Sequence, residues 1–123
     1  MNGQRDKLLI VDDDRLIADT TALIFTHAGY DVEAVYSAEQ ALELIQKWPP
    51  SAAILDVLLP QMGGITLAEL MRTTLPDCRI VLFSSQAVFD DRIAAAHNDF
   101  FVLAKPVHPS ELLDSIGKLL KIP

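Results

Sequence analysis

Residues 8–14 read Leu-Leu-Ile-Val-Asp-Asp-Asp, four large apolar side chains followed at once by three carboxylates. Consecutive apolar residues without polar alternation are typical of a strand that is buried on both faces of a sheet. The stretch therefore predicts a buried strand whose carboxyl end carries negative charge. This pattern decides the class of the fold and locates its chemistry.

The apolar part of this pattern recurs along the chain. Further runs predict buried strands at residues 32–35, 52–55, 80–83 and 101–103. A segment with helical spacing of apolar residues follows each strand, which predicts five βα units. Alternating strands and helices form a parallel sheet that is covered on both faces. We therefore expect one α/β domain, which fits a chain of 123 residues of which 50% are hydrophobic.

Capping and terminating residues bound the predicted helices. Gly29 is expected to end the first helix, and Ser37 with Gln40 matches a capping box at the start of the second. Pro109 occupies a first helical position in the last helix. The helix predicted at residues 88–96 has the least regular pattern. One stripe on the first helix is typical of an amphipathic helix and contains Leu16, Ile17, Thr20, Leu23 and Ile24.

Reactive polar residues follow four of the predicted strands. They are Asp12 and Asp13 after the first strand, Asp56 after the third, Ser84 after the fourth and Lys105 after the fifth. Ligands of parallel α/β sheets bind beyond the carboxyl ends of the strands. If the first strand is central, these five side chains converge on one site.

The predicted cluster has too much negative charge for its single lysine. Three neighbouring carboxylates repel one another strongly, and a hard divalent cation such as Mg²⁺ would resolve the imbalance. Lys105 and the Ser84 hydroxyl could then contact an incoming anion. Carboxylate, Mg²⁺, ammonium and hydroxyl together are typical of phosphoryl transfer. Asp56 stands alone after its strand and is the predicted nucleophile of an aspartyl phosphate.

Composition and charge exclude several other classes of function. Ten Lys and Arg residues against seventeen Asp and Glu residues give a net charge of −7, which disfavours binding to nucleic acids and anionic membranes. No apolar run approaches the ~20 residues of a membrane span, and the polar first residues do not resemble a signal peptide. Cys78 is the only cysteine, so neither a disulfide framework nor a cysteine metal site is expected. We expect a cytoplasmic protein without membrane insertion.

Four stretches of the chain resemble the signature motifs of the receiver domain of two-component response regulators. They are LIVDDD at residues 9–14, ILDVLLPQMGG at residues 54–64, VLFSS at residues 81–85 and AKP at residues 104–106. The stretches occur in the order of the family and span almost the whole chain. The resemblance implies a flavodoxin-like (βα)5 fold with strand order 2-1-3-4-5. It also implies phosphoryl transfer from a sensor histidine kinase or a histidine phosphotransfer protein.

The resemblance implies a phosphoacceptor and a set of metal ligands. Asp56 matches the phosphoacceptor, and Asp12 with Asp13 matches the acidic pair that holds Mg²⁺. Asp56 and the backbone carbonyl of Leu58 match the remaining protein ligands of the metal.

The resemblance also implies residues that respond to phosphorylation. Ser84 matches the switch hydroxyl, Lys105 matches the lysine that contacts the phosphoryl oxygens, and the Lys105-Pro106 bond matches one that is cis in the family. Phosphorylation is then expected to change the surface formed by the helix at residues 88–96, the fifth strand and the last helix. A downstream protein of unknown identity would bind this surface.

Two positions depart from the family pattern. Val102 stands three residues before the lysine, where the family usually has an aromatic, and period-two alternation puts Phe101 on the opposite face. The usual aromatic switch is therefore expected to be absent or rebuilt. Leu58 stands where many relatives carry a polar residue that can orient water, which predicts slow self-dephosphorylation.

Several alternatives remain open at the level of the whole protein. Residues 1–123 are expected to form one receiver domain, with a core at about residues 7–121 and no output domain. It is either a stand-alone receiver or a domain excised from a larger regulator or hybrid kinase. A phosphorelay intermediate would use the same site. A phosphohydrolase is disfavoured, since these enzymes usually carry an acid at the position of Leu58. We expect catalysis only of the protein's own phosphorylation and dephosphorylation.

Other polar and small residues have structural interpretations. Asp14 is expected near the start of the first helix, where its charge suits the helix dipole, and His108 is expected to cap the last helix. Gly63 and Gly64 predict a turn with positive φ. Cys78 is expected to be buried or half-buried.

Overall fold

The computed structural model describes residues 5–85, 99–105 and 107–121 and contains a five-stranded parallel sheet. The strands are β1 (Lys7–Val11), β2 (Asp31–Val35), β3 (Ala52–Asp56), β4 (Arg79–Ser85) and β5 (Phe101–Lys105). Their order in the sheet is β2-β1-β3-β4-β5, which confirms the predicted order. All five predicted strands are confirmed, and the ends of each lie within two residues of the predicted bounds.

Four helices cover the sheet in the described ranges. They are α1 (Arg15–His27), α2 (Ala38–Ile45), α3 (Gly64–Thr74) and α4 (Pro109–Leu120). The helix predicted at residues 88–96 and Pro106 of the predicted cis bond lie outside the described residues. None of the described helices has the length and apolarity that crossing a bilayer requires.

Alternating residues of the central strands face two separate hydrophobic layers. Leu9 and Leu55 belong to the layer that packs against α2 and α3, whereas Leu8 and Ile54 belong to the layer against α1 and α4. All four side chains are almost completely buried. The apolar runs were continuous because both faces of β1 and β3 are covered.

Helix α1 does not bury the stripe that its large apolar residues form. Leu16 is 77% exposed and Leu23 is 61% exposed, whereas Ala18 and Phe25 are fully buried. Ala22 packs against the same layer as Phe25. Small side chains allow the helix to approach the sheet closely, and the aromatic ring fills the space at its end. The expectation of an amphipathic helix holds, but the predicted stripe is not its buried face.

The predicted residues cap the helices, but in the capping box of α2 one hydrogen-bond donor differs from the expected one. The Asp14 side chain accepts hydrogen bonds from two amides of the first turn of α1, and His108 Nδ1 accepts one from the Ser110 amide at 3.1 Å. In the capping box of α2 the Gln40 amide donates to Ser37 Oγ at 3.1 Å. The Gln40 side chain accepts from the Tyr36 amide at 2.8 Å, one residue before the expected partner.

Two residues that the sequence singled out have the predicted environments. Gly29 follows α1 with a φ of 103°, the left-handed conformation that a terminating glycine favours. Cys78 is half-buried just before β4, and burial raises the pKa of its thiol to about 12. The thiol is therefore protonated throughout the neutral range.

Candidate functional site

Three carboxylates lie close together at the carboxyl ends of the strands. Asp12, Asp13 and Asp56 each offer an oxygen, and these three oxygens lie within 4.8 Å of one another. Asp12 is 3% exposed and Asp56 is 8% exposed, whereas Asp13 faces solvent. The predicted convergence of acids from β1 and β3 is therefore present in the structure.

The parallel register produces this convergence. Val11 of β1 pairs with Leu55 of β3, so Asp12 and Asp56 are the next residues on adjacent strands. The Asp12 amide still donates to the Val35 carbonyl of β2 at 3.2 Å, which fixes the backbone beyond the end of β1. The position of the acidic pair is thus determined by the sheet rather than by a flexible loop.

Lys105 connects the two buried carboxylates. Its Nζ lies 3.3 Å from Asp12 Oδ2 and 3.5 Å from Asp56 Oδ2, and its side chain is 23% exposed. The other oxygen of Asp12 accepts a hydrogen bond from the Asp14 amide at 3.0 Å. Because β5 lies two strands away from β3, the lysine brings a cation across the end of β4 to the acids.

The surroundings of Asp56 make its carboxyl group harder to ionise than usual. Burial raises the pKa of Asp56 to about 6, and the negative charge of Asp12 contributes to the increase. The Lys105 ammonium and the Leu58 amide act in the opposite direction, the amide donating to Asp56 Oδ1 at 3.2 Å. At neutral pH Asp56 is mostly ionised, and both of its oxygens have a positively polarised neighbour.

Ser84 lies at the same edge, one residue beyond the partner of Asp56. Asp56 pairs in the sheet with Phe83, and Ser84 is the next residue of β4. Ser84 is 5% exposed, and its hydroxyl donates to the Ser85 carbonyl at 3.3 Å. All the side chains predicted for the site therefore come from the ends of neighbouring strands.

Gly64 is required by a close approach and not by a positive φ. A Cβ atom at this position would clash with the carbonyl oxygen of Asp56 and lie 2.8 Å from its carbonyl carbon. The prediction of a positive φ at Gly63 and Gly64 is wrong, since in the described segments Gly29 is the only glycine with one and Gln61 adopts a φ of 64°. The glycine lets the first turn of α3 touch the end of β3, beside the Asp56 carboxylate.

The donor set fits Mg²⁺. Octahedral Mg²⁺ holds oxygen ligands about 3 Å apart when they are adjacent and about 4.2 Å apart when they are opposite, so the oxygens of Asp12, Asp13 and Asp56, which lie within 4.8 Å of one another, would draw together around the ion. All three are hard oxygen donors, and one of them is exposed to solvent that can supply water ligands. The contact that the structure gives for Leu58 involves its amide, so ligation by its carbonyl stays a prediction.

The sequence did not predict the aromatic partner of Lys105. The Phe83 ring lies 5.3 Å from Lys105 Nζ, within the range of a cation–π contact. Phe83 precedes Ser84 and pairs with Asp56, so its place in the sheet could have indicated this proximity. Val102, at the usual aromatic position, packs in the layer with α2 and α3, whereas Phe101 is 44% exposed.

Comparisons with known sequences agree with this geometry. The family model of the response regulator receiver domain matches residues 8–117. The response regulator MprA of Mycolicibacterium vanbaalenii is 31% identical over 118 residues, covering 94% of this chain and 50% of the relative. The chain thus spans about half the length of the curated relatives it matches.

Solved structures show the same fold. A proposed response regulator from Chloroflexus aurantiacus superposes with a TM-score of 0.86 at 35% identity, covering 97% of this chain and 100% of that one. A CheY-like response regulator receiver domain protein from Methanospirillum hungatei superposes with a TM-score of 0.88 at 29% identity. That comparison covers 95% of this chain and 94% of the other.

Proposed function

The chain belongs to the response regulator receiver domain family, and from this membership we infer that it accepts a phosphoryl group on Asp56. Response regulators of two-component systems interact in general with histidine kinases and downstream effectors. The observation that carries the assignment is the environment of Asp56, whose two oxygens face the Lys105 ammonium and the Leu58 amide beside two further carboxylates.

The proposed donor is a phosphohistidine of a sensor histidine kinase or a histidine phosphotransfer protein. A carboxylate oxygen of Asp56 attacks the phosphorus, and a new P–O bond forms as the P–N bond to the donor breaks. The departing ring nitrogen takes the electron pair of the broken bond, and the donor leaves as neutral imidazole when its other nitrogen is protonated. The product is an aspartyl phosphate on this chain.

Residues around Asp56 support each part of this reaction. With a pKa of about 6, Asp56 is mostly ionised at neutral pH and available as a nucleophile. Lys105 neutralises charge on the phosphoryl oxygens, and the Ser84 hydroxyl, buried at the same edge, donates to one of them. The Leu58 amide holds one carboxylate oxygen in place.

Receiver domains generally bind Mg²⁺, and the acidic cluster of this chain could hold it. We propose Asp12, Asp13, Asp56 and the Leu58 carbonyl as its protein ligands. When bound, the cation offsets the negative charge shared by the phosphoryl group and the acids. Asp12, which is buried and paired with Lys105, would position the metal, while exposed Asp13 would complete the set from the solvent side.

The proposed role at the level of the protein is a signalling switch. Residues 1–123 form one receiver unit, either alone or within a larger regulator or hybrid kinase. Phosphorylation would change partner binding through the surface that includes β5 and α4, and the chain would catalyse only its own phosphorylation and dephosphorylation. We propose a cytoplasmic location.

Intact-mass analysis after incubation with Mg²⁺ and acetyl phosphate tests the site. We expect wild-type protein to gain one phosphoryl group and Asp56→Asn to gain none. Asp14→Asn is a matched control, because Asn also caps helices and Asp14 lies beside the site without belonging to the predicted ligands. Phosphorylation of Asp56→Asn at the wild-type rate would disprove the assignment.

A phosphorelay intermediate is the second candidate, since it uses the same residues. The two roles differ in the direction of transfer after Asp56 is loaded. Incubating the phosphorylated chain with a histidine phosphotransfer domain distinguishes them, because an intermediate returns the group to histidine and a terminal switch retains it.

A further inference from the structure

Strand β2 forms one edge of the described sheet and is paired there only with β1. The Asp31 amide donates to the Asp6 carbonyl at 2.9 Å, and the Val35 carbonyl accepts from the Asp12 amide at 3.2 Å. Successive residues of a strand direct their backbone N–H and C=O groups to opposite sides. The odd-numbered residues of β2 therefore direct these groups toward β1, and the even-numbered residues direct theirs away from the sheet.

Two residues of β2 present unpaired backbone groups at this edge. They are Val32 and Ala34, and within the described ranges no residue exchanges a hydrogen bond with their outward N–H and C=O groups. The next outward amide, that of Tyr36, donates to Gln40 Oε1 at 2.8 Å, so the open segment ends there. Two donors and two acceptors along one edge form a template to which a further strand can add.

A slot of about 290 Å³ lies beside the open segment, between β2 and α2. Val35 and Leu44 give it an apolar surface, and both side chains are only half-buried against the core. Ala34 also lines the slot, so it adjoins the unpaired backbone, and Glu43 and Lys47 bring opposite charges to its α2 side. A strand added at this edge would direct alternate side chains to the side of α2, and one of them could enter the slot.

Exposed carboxylates stand beside the unpaired backbone. Asp31 and Glu33 lie on the same side of β2 as Val35, since alternate residues of a strand share a face. Both are exposed, and neither has an ion-pair partner within 4.0 Å among the residues that the structure describes. Lys7 is the register partner of Asp31, but its ammonium lies over the Trp48 ring, 5.7 Å from the centroid. Both carboxylates are therefore available to cationic side chains of an added strand.

A second copy of this chain is a poor occupant of the edge. Antiparallel pairing that uses both outward residues aligns Val32 of one copy with Ala34 of the other. Glu33 then lies directly opposite its counterpart on the second copy, and like charges in this position are destabilising. The net charge of −7 on each copy adds to the repulsion. The edge thus favours a strand with positive charge.

We propose that the β2 edge binds an extended segment of a partner protein that carries cationic side chains opposite Asp31 and Glu33 and an apolar side chain in the slot. Main-chain hydrogen bonds to Val32 and Ala34 supply the affinity, and the alternate side chains supply the specificity. Because β2 and β5 lie at opposite edges of the described sheet, this partner leaves the surface that includes β5 and α4 free.

Two-dimensional NMR of the unphosphorylated full chain, titrated with the capped peptides TKTKTLT and TLTKTKT, tests this binding. The two peptides have opposite direction, and in both the central lysine would face Glu33. We expect one of them to cause saturable shifts and slower amide exchange at Val32 and Ala34. Shifts centred on the exposed Asp13, or no saturable shift with either peptide, would overturn the proposal. Magnesium and phosphodonor are omitted, so the result does not depend on the proposed function.

Reversal of one charge tests the selection by side chains. Glu33→Lys should bind the lysine peptide roughly fivefold more weakly. It should bind a peptide with glutamate in place of the central lysine more tightly than the wild type does. Glu69→Lys makes the same change of charge on the exposed side of α3 and should bind both peptides like the wild type. Circular dichroism verifies the folding of both variants. Equal effects of the two substitutions would show that only the net charge matters and would contradict the proposed location.

N-methylated peptides distinguish strand addition from simple attraction between charges. An added strand directs every second amide toward β2, so methylation of one alternating set of amides should abolish measurable binding. Methylation of the other set should leave the affinity within about twofold of the unmodified peptide. Equal affinities of the two methylated peptides would contradict main-chain pairing with Val32 and Ala34.

Discussion

Lys105 lies between the buried carboxylates of Asp12 and Asp56 and offers a compensating positive charge to both. The sequence predicted that Asp12, Asp56 and Lys105 would meet, since each follows a buried apolar run and parallel strands end at one edge. It did not predict the Phe83 ring beside the ammonium. That contact depends on side-chain placement across two strands, which a linear pattern does not contain.

At the residue scale, Asp56 should make stability depend on pH in metal-free protein. The pKa of Asp56 is raised from 3.8 to about 6 in the folded chain, so between these values the folded state binds more protons than the unfolded state. The free energy of unfolding therefore falls as pH rises through this window, by up to about 3 kcal/mol. Urea unfolding in EDTA at pH 4 and at pH 7.5 measures the change.

Substitution of Asp56 isolates its contribution. Asp56→Asn should resemble the wild type at pH 4 and be more stable by about 1–3 kcal/mol at pH 7.5. Asp13→Asn is the matched control, because Asp13 is exposed and should change the pH profile little. A pH profile of Asp56→Asn that parallels the wild type would show that another group is responsible.

Leu58 should determine how long the phosphoryl group survives. Its side chain is 54% exposed and offers no group that orients an attacking water. Leu58→Asn is expected to shorten the lifetime roughly tenfold to a hundredfold, measured as decay of the phosphorylated mass after the donor is removed. Leu58→Met keeps an apolar side chain and should retain the wild-type lifetime. A wild-type lifetime of only seconds at neutral pH would argue against this role.

At the scale of elements, helix α1 shows where periodicity fails. The spacing of large apolar residues identifies a stripe containing Leu16 and Leu23, but the sheet receives the face with Ala18 and Phe25. Hydrophobic periodicity weights large side chains, whereas close packing of a helix on a sheet also favours small ones. The bounds and caps were predictable because they depend on local hydrogen bonds.

The two faces of α1 should differ in their effect on stability. Phe25→Ala removes a fully buried ring that packs against Tyr30, and should cost about 3–5 kcal/mol in urea unfolding. Leu23→Gln changes a side chain that is 61% exposed and should stay within about 0.5 kcal/mol of the wild type. A large loss for Leu23→Gln would mean that this face is covered in solution.

The junction of β3 and α3 should tolerate no side chain at Gly64. Gly64→Ala places a methyl group against the Asp56 backbone and should cost about 2–3 kcal/mol of stability, with slower phosphorylation because Asp56 is displaced. Gly63→Ala is the matched control: its Cβ would lie 3.7 Å from the nearest atom, the Val57 carbonyl oxygen, and the loss should stay below about 1 kcal/mol. Equal losses in both variants would contradict the packing argument.

At the scale of the whole molecule, two hydrophobic layers cover the faces of a sheet. Three carboxylates lie together at the carboxyl ends of its strands. Apolar runs predicted the number and bounds of the strands, because both faces of the central strands are covered. The strand order came from the resemblance to a family rather than from the runs themselves. A run predicts burial, but it does not identify the neighbour of a strand.

Binding of Mg²⁺ should stabilise the entire fold by mass action. Free metal at a hundredfold excess over its dissociation constant adds about 2.7 kcal/mol, so the melting temperature at pH 7.5 should rise with Mg²⁺ concentration. Asp13→Asn should weaken this dependence without unfolding the protein, since Asp13 is exposed. An identical rise in Asp13→Asn and wild type would indicate that Asp13 does not bind the metal.

The low reactivity of Cys78 makes it possible to label this protein at a second, introduced cysteine. With burial holding the thiol pKa at about 12, the native sulfur is a poor nucleophile toward maleimides and iodoacetamides. A cysteine introduced on the outer surface of α1, for example by Leu23→Cys, would therefore react selectively. Fluorophores or spin labels can then report on this protein without removal of its own cysteine.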